Sequence, residues 1–421
     1  MAIFQLVFSI AGSYNSLELF LWDGGNFMNY DYLLYLAVIL ISTKLMGLMT
    51  RRAHMPQVVG ALVAGLVLGP AFLGLIHSST FLNQISEIGV IVLMFMAGLE
   101  TDTEELKRSG VASFVIALMG VLVPLAGGFG IAMACHVASP DLPASETLQN
   151  VFIGIILTAT SVSITVETLK EMGKVSTKAG TAILGAAIID DILGIIALTI
   201  ITSMSDPSTN IFLVLLKIAG FFLFAVAFGI AFGFVMQKWA SMYPRPNRRH
   251  VILTFAFCLV MSFCAEHFFG VADITGAYVA GLILSHSTKR EVIYKEFDTV
   301  SYLLVAPVFF ASIGLKVELS SMSGSLLAFT GLLLIVAILT KILGCGFGAK
   351  VMKYSPKESI QIGIGMISRG EVALIVANKG ESLGLIGDSL YAPIVVTVVI
   401  TTIITPILLK VAFKDKSRAA A

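Results

Sequence analysis

The chain has 421 residues, of which 57% are hydrophobic and only 13% charged, and its mean hydropathy is +0.95. A soluble domain carries about 25% charged residues, so this balance excludes an ordinary soluble enzyme or a nucleic-acid-binding module and fits a polytopic membrane protein. The net charge of +1 identifies no partner, because the placement of charge says more than its sum.

Residues 1–30 come first, with Phe4, Leu6, Phe8, Leu19, Phe20 and Trp22 scattered among polar residues. They read as an N-terminal interfacial segment. No basic stretch precedes the apolar one, so a removed signal peptide is not expected. Thirteen apolar segments follow, each long enough to be a candidate membrane span. They are 31–50, 57–76, 85–99, 111–136, 150–170, 178–203, 210–237, 250–268, 272–286, 298–315, 325–350, 358–378 and 389–411. A short tail, 412–421, closes the chain. Cys135, Cys258, Cys264 and Cys345 all lie in apolar runs with no CxxC spacing, so they read as small core residues.

The loops carry a charge code. Those after odd-numbered spans hold Arg51 and Arg52, Lys107 and Arg108, Lys170 and Lys174, Lys238 to Arg249, Lys289 to Lys295, and Lys350 to Lys357. The tail adds Lys414, Lys416 and Arg418. In the alternate loops the stretches "HSSTFLNQ", "HVASPDLPASETLQN", "SMSDPSTN", "HFFGVAD" and "SSMSGS" have no Lys or Arg, and "KGESLGLIGDS" has only Lys379. Adding or deleting one span would scramble this alternation. The positive-inside rule then sets the N-terminus outside and the C-terminus in the cytoplasm.

The chain also repeats itself. "VVGALVAGLVLG" (Val58 to Gly69) matches "ITGAYVAGLILS" (Ile274 to Ser285) at seven of twelve positions, 216 residues apart. At the same spacing "MAGLETD" (Met96 to Asp102) lies over "SIGLKVE" (Ser312 to Glu318). Span 2 pairs with span 9 and span 3 with span 10. An offset of seven spans is odd, so the second copy crosses in the opposite sense. Inverted repeats of this kind are frequent in secondary transporters, which often bind substrate at the midplane between discontinuous helices. The offset pairs span 5, with its hydroxyl-rich "LTATSVSIT" (Leu157 to Thr165), with span 12, "GIGMISRGEVA" (Gly363 to Ala373). Both are candidates for a break near mid-membrane.

Span 6 contains "AAIIDDILGII" (Ala186 to Ile196), with Asp190 and Asp191 near its centre. Ionisable groups at that depth cost several kcal/mol and mark function by default. Successive helical residues point about 100° apart, so the two carboxylates cannot serve one partner identically. Two roles are more natural: one acid facing a water-filled cavity, the other a protein cation. Lys44 and Lys217 lie near span ends and can snorkel. Lys341, about sixteen residues into span 11, cannot easily do so and is the preferred partner for one aspartate. Arg369 and Glu371 fall near the middle of span 12, placed to neutralise each other and hold a broken helix together, or to contact an ion. Thr158, Thr160 and Ser161 would ordinarily bond their own backbone. Opposite a second break they become candidate oxygen ligands for a small hard cation.

These residues resemble the monovalent cation:proton antiporters of the NapA and NhaA kind. The marks are "TATS" (Thr158 to Ser161), "IIDDILG" (Ile188 to Gly194), "TKILG" (Thr340 to Gly344) and "SRGEVALI" (Ser368 to Ile375), in this order and on these spans. The resemblance covers nearly all of residues 31–411. It implies an all-α NhaA-like fold of about thirteen spans, with inverted-topology repeats over about 57–203 and 272–411. Spans 5 and 12 would cross as broken helices. A transport part around 85–203 and 298–411 would move against a dimerisation part made of the remaining helices, in a homodimer. By position, Asp191 would carry the cation and the proton, with Na+ held by Asp191 and Thr160. Asp190 would pair with Lys341, and Thr160 and Ser161 would supply oxygens at the crossing. The resemblance also implies electrogenic exchange of Na+ for protons across the plasma (inner) membrane, with no cofactor and no enzymatic activity.

The same residues bear on rival functions. A K+/proton antiporter on this fold is the first alternative. A cation channel would need a filter of carbonyls or charges, and no filter-like loop is evident. An intramembrane aspartyl protease needs two aspartates on facing helices, whereas Asp190 and Asp191 are adjacent. An organic-anion carrier is disfavoured by the acid pair.

Overall fold

A backbone inside lipid has no water to bond, so a chain this apolar satisfies its amides within helices. The computed structural model describes residues 31–414 apart from 53–54, 102, 139–140, 143, 206–210, 243–248, 288 and 317–323; among the described residues there is no strand. The expected interfacial segment, 1–30, and residues 415–421 of the tail lie outside the described residues. In chain order the helices are α1 Asp31–Arg52, α2 Gln57–Leu68, α3 Thr80–Glu100, α4 Thr103–Ala134, α5 Glu146–Thr158, α6 Val162–Glu171, α7 Lys178–Ser205 and α8 Ile211–Met242. They continue with α9 Arg249–Phe269, α10 Asp273–Leu284, α11 Arg290–Val300, α12 Ala306–Leu315, α13 Gly324–Val351, α14 Pro356–Gly365, α15 Glu371–Ser382 and α16 Asp388–Ala412. Among the described residues, ten helical segments are long and apolar enough to cross a bilayer, and α2 and α10 are shorter apolar helices. With the interrupted pass made by α14 and α15, every one of the thirteen expected segments meets a helix.

Local chemistry, not hydropathy, sets several ends. The second pass was expected to run to 76, but α2 stops at Leu68. Gly69 is extended (φ −79°, ψ −178°), and Pro70 behind it has no amide hydrogen to continue the ladder. The third pass starts at Thr80 instead of 85, because the Ser79 hydroxyl caps it by accepting from the Leu82 amide at 3.3 Å. Between α11 and α12 the chain makes one π-helical step, Ser301–Val305, just before Pro307. The Ala306 amide reaches back to the Ser301 carbonyl there. A widened turn is a common answer to a missing proline donor.

The helices sort into two packing sets. In one, α4 packs against α5, α7 and α13, and α13 packs against α14 and α16. In the other, α2 packs against α1 and α12, α3 against α10 and α12, and α9 against α10. The half-helix α6 touches both, meeting α2 and α3 on one side and α7 and α16 on the other. Helices α3 and α12, which the sequence reading assigned to the moving part, pack with α2 and α10.

The repeat in sequence is also a repeat of contacts. A side chain at Gly65 would strike the Ala311 carbonyl, and one at Gly281, 216 residues later, would strike the Phe95 carbonyl. The reverse contact is doubled too. A side chain at Gly314 would meet the Leu66 amide and the Leu62 carbonyl, and one at Gly98 the Leu282 amide and the Tyr278 carbonyl. Each of these contacts maps onto its counterpart by the same offset. The joint of α2 with α12 and the joint of α10 with α3 are one close-packed design built twice, with small residues letting backbones touch.

Candidate functional site

The two breaks fall where the sequence placed them. α5 ends at Thr158 and α6 begins at Val162, with Ala159 (φ −59°, ψ 132°) and Ser161 (φ −87°, ψ 106°) extended between them. α14 ends at Gly365 and α15 begins at Glu371. The interruptions are bonded to each other. The Ser161 amide donates to the Ser368 carbonyl at 2.7 Å, and the Ser368 hydroxyl donates back to the Ser161 carbonyl at 2.8 Å. One turn along, the Thr165 hydroxyl donates to the Gly365 carbonyl at 2.8 Å and lies 2.8 Å from the Ser368 hydroxyl. The crossing is tight enough to require glycine at 370, where an added Cβ would sit 2.7 Å from Ser161 Oγ.

Two helix C-termini, those of α5 and α14, thereby end inside the protein. Such ends carry unsatisfied carbonyls and about half a negative charge each. Arg369 answers both. Its guanidinium is fully buried and donates to the Leu157 carbonyl at 2.8 Å, the Ile367 carbonyl at 3.0 Å and the Ala337 carbonyl at 3.0 Å on α13. From α16 the Thr402 hydroxyl bonds the Arg369 carbonyl. The expected contact of Arg369 with Glu371 is not described, because the Glu371 side chain lies outside the described residues; Glu371 is the first residue of α15.

Beside the crossing, α7 carries the aspartates. Asp190 is 2% exposed, and both its oxygens face Lys341 Nζ, at 3.1 and 3.2 Å. Lys341, on α13, is completely buried. The Thr160 hydroxyl points at the Met366 carbonyl, 3.5 Å away. Thr158 bonds its own helix at the Ile155 carbonyl, and the Ser161 hydroxyl is 3.3 Å from that of Ser163. Asp191, one residue on and turned by about 100°, is 8% exposed. Both aspartates line a cavity of about 900 Å³ that lies between the two packing sets. Its walls include Thr158, Ala159 and Tyr391 from one set and Ser86, Glu87 and Asp273 from the other. The cavity opens among the loops at His77, Glu266 and Lys316, the face whose loops lack basic clusters. Asp190, Asp191, Thr158 and Ser86 bring carboxylate and hydroxyl side chains to its lining, groups of the kind a hard cation takes.

Sequence reasoning did not single out Ser368, Thr165 or Thr402. Hydroxyls recur on α16 at Thr397, Thr401 and Thr405, each bonding back to its own helix. Nothing in the spacing marks Thr402 as the one that also reaches across. For Ser368 and Thr165 the available signal was their position inside the two predicted breaks.

Residues 37–414 match the family of transmembrane sodium/hydrogen exchangers. The chain is 39% identical to the Na(+)/H(+)-K(+) antiporter GerN of Bacillus cereus, over 93% of this chain and 99% of that protein. It is 37% identical to the Na(+)/H(+) antiporter of Enterococcus hirae, over 90% and 97%. Its fold superposes on the sodium proton antiporter MjNhaP1 of Methanocaldococcus jannaschii with a TM-score of 0.65, at 19% identity, covering 90% of this chain and 95% of that one.

Proposed function

The chain belongs to the sodium/hydrogen exchanger family, and from that membership we propose that it exchanges Na+ for protons across the plasma membrane at the Asp190–Asp191 site. The observation that carries the reading is the pair of adjacent aspartates at the floor of the cavity, beside two crossed half-helices. One aspartate is held by a buried lysine. Its neighbour has the same cavity for access. A proton and a Na+ ion compete for Asp191. Bound to either, the carboxylate is neutralised, and the α4–α7 and α13–α16 set can cross against the other. Empty, it is an ionised carboxylate, and its charge makes crossing costly. That competition alone couples the two fluxes. The ammonium of Lys341 holds Asp190, and its release of a proton during the cycle would move a second proton per Na+ and make exchange electrogenic. No cofactor and no enzymatic step enter this scheme.

By the charge code, the cavity faces outside and the C-terminus lies in the cytoplasm, so the described arrangement is outward-open. A homodimer in the lipid bilayer belongs to the same reading. K+ is the alternative cation, because the Bacillus cereus relative is a Na(+)/H(+)-K(+) antiporter by name.

Reconstituted protein tests both points. Na+-driven proton flux should appear in proteoliposomes and vanish in Asp191→Asn; robust coupled exchange in that variant contradicts the assignment. The same vesicles challenged with Na+, Li+ and K+ across pH rank the cations, and a flux driven by K+ alone would replace Na+ as the substrate.

A further inference from the structure

The seam between the two packing sets is open at the aspartates and shut at its opposite end, on the basic face. There a smaller vestibule of about 540 Å³ is lined by Glu100, Glu104, Lys170, His286 and Arg290, among others, but by neither aspartate. What closes the seam is the last turn of α6, the downstream half of the broken helix. Lys170 Nζ donates to Asp298 Oδ1 of α11 at 2.8 Å, stands 5.3 Å over the Tyr294 ring on α11, and lies 3.9 Å from Met96 Sδ on α3. The adjacent Glu171 reaches in another direction. Both its carboxylate oxygens accept from the Gln57 amide, at 2.8 and 3.0 Å. Gln57 is the first residue of α2, whose own N-cap, Pro56, offers no side-chain bond. A carboxylate at an uncapped helix N-terminus is a charge-assisted, dipole-aligned contact.

Two neighbouring side chains thus tie one half-helix to three helices of the other set. The same half-helix begins at Ser161 and Val162, in the crossing itself. We propose that Lys170 and Glu171 are positioning residues that hold the basic-face pathway shut in this state, so that the ties must release before the aspartates are reached from that side. The proposal rests on the exchange reading above, since only a carrier that alternates its access needs the seam to open at each end in turn. It makes the two ends of the seam reciprocal: loosening the ties opens the basic face and closes the 900 Å³ cavity.

Hydrogen–deuterium exchange on the full-length protein in nanodiscs reads both ends at once and requires no flux. Lys170→Glu, which sets two carboxylates face to face, should speed exchange in segments 55–60 and 165–174 about fivefold, the population change within reach of one partly exposed ion pair. Segments 77–87 and 266–274, at the open cavity, should slow by less than twofold, because the open-cavity state starts as the major one and a fivefold gain in the minor state removes only part of it. Lys170→Glu with Asp298→Lys should restore both. Glu171→Ala, and Lys170→Gln should Lys170→Glu not fold, are expected to move both ends in the same directions by less. A rise at the basic face alone would make the two residues ordinary structural contacts and overturn the proposal, as would no change at either end. Because no ion is transported in this measurement, a failure of the Asp191 assignment would leave the reciprocal pattern intact.

Discussion

Among the described residues, the membrane interior holds two cationic side chains at full burial, Lys341 and Arg369, and it treats them in opposite ways. Arg369 is sealed among backbone carbonyls from α5, α13 and its own break, and each of its bonds to the described residues goes to one of them. Lys341 faces a carboxylate, Asp190, that also lines a cavity. One charge compensates helix ends whose partial charges never change. The other compensates a group that can gain or lose a proton or an ion. The same cost of burying charge is met once by fixed dipoles, which makes scaffold, and once by a titratable partner beside a cavity, which makes an exchange site.

Substitutions should separate the two centres by stability, in a graded order. Arg369→Ala would leave the Leu157 and Ile367 carbonyls at the break without this donor, each at about 1–3 kcal/mol, and would remove a second bond to the Ala337 carbonyl. It should be the most damaging, with little folded protein recoverable in detergent; a near-normal melting profile would refute the scaffold role. Lys341→Gln leaves Asp190 buried and unpaired, at about 3–5 kcal/mol. Adding Asp190→Asn should recover most of that loss in a double-mutant cycle, whereas additive losses would show that the pair does not act as one. Gly370→Ala pushes a methyl towards Ser161 Oγ, 2.7 Å away. It should cost about 1–3 kcal/mol by overpacking, read as a lowered melting temperature with transport slowed. Thr402→Val removes one hydroxyl bond to the Arg369 carbonyl and should cost about 1 kcal/mol. Asp191→Asn should stand at the far end, within about 1 kcal/mol of wild type in stability, because an isosteric amide keeps the shape of the cavity wall.

The sequence made the passes legible because each is an apolar run bounded by a loop whose charge sign alternates. Asp190, Asp191 and Lys341 stood out because ionisable groups so far from a span end have no cheap way to reach water. The ion pair between α7 and α13 follows from that scarcity of partners. Arg369 was equally conspicuous, but its partners were not, since a carbonyl leaves no mark in the sequence and the nearby Glu371 was the only partner that could be read. The ties at Lys170, Glu171, Asp298 and Gln57 escaped notice for the opposite reason. They sit in loop-proximal positions where charge is common, and only the packing of α6 against α2, α3 and α11 gives them a shared task. The division of helices was hidden too. α3 and α12 are as apolar as α4 and α13, and glycine contacts such as Gly98 on Tyr278, not hydropathy, decide which set each joins.

The central claim is that one carboxylate serves the cation and the proton in turn. Titrating Na+ into purified, weakly buffered protein and recording pH tests it without a membrane. Competition at Asp191 predicts that Na+ binding releases protons, with a midpoint that moves to higher Na+ as pH falls, and that Asp191→Asn abolishes the release. Saturable Na+ binding that frees no protons, or proton release undiminished in Asp191→Asn, would contradict the account.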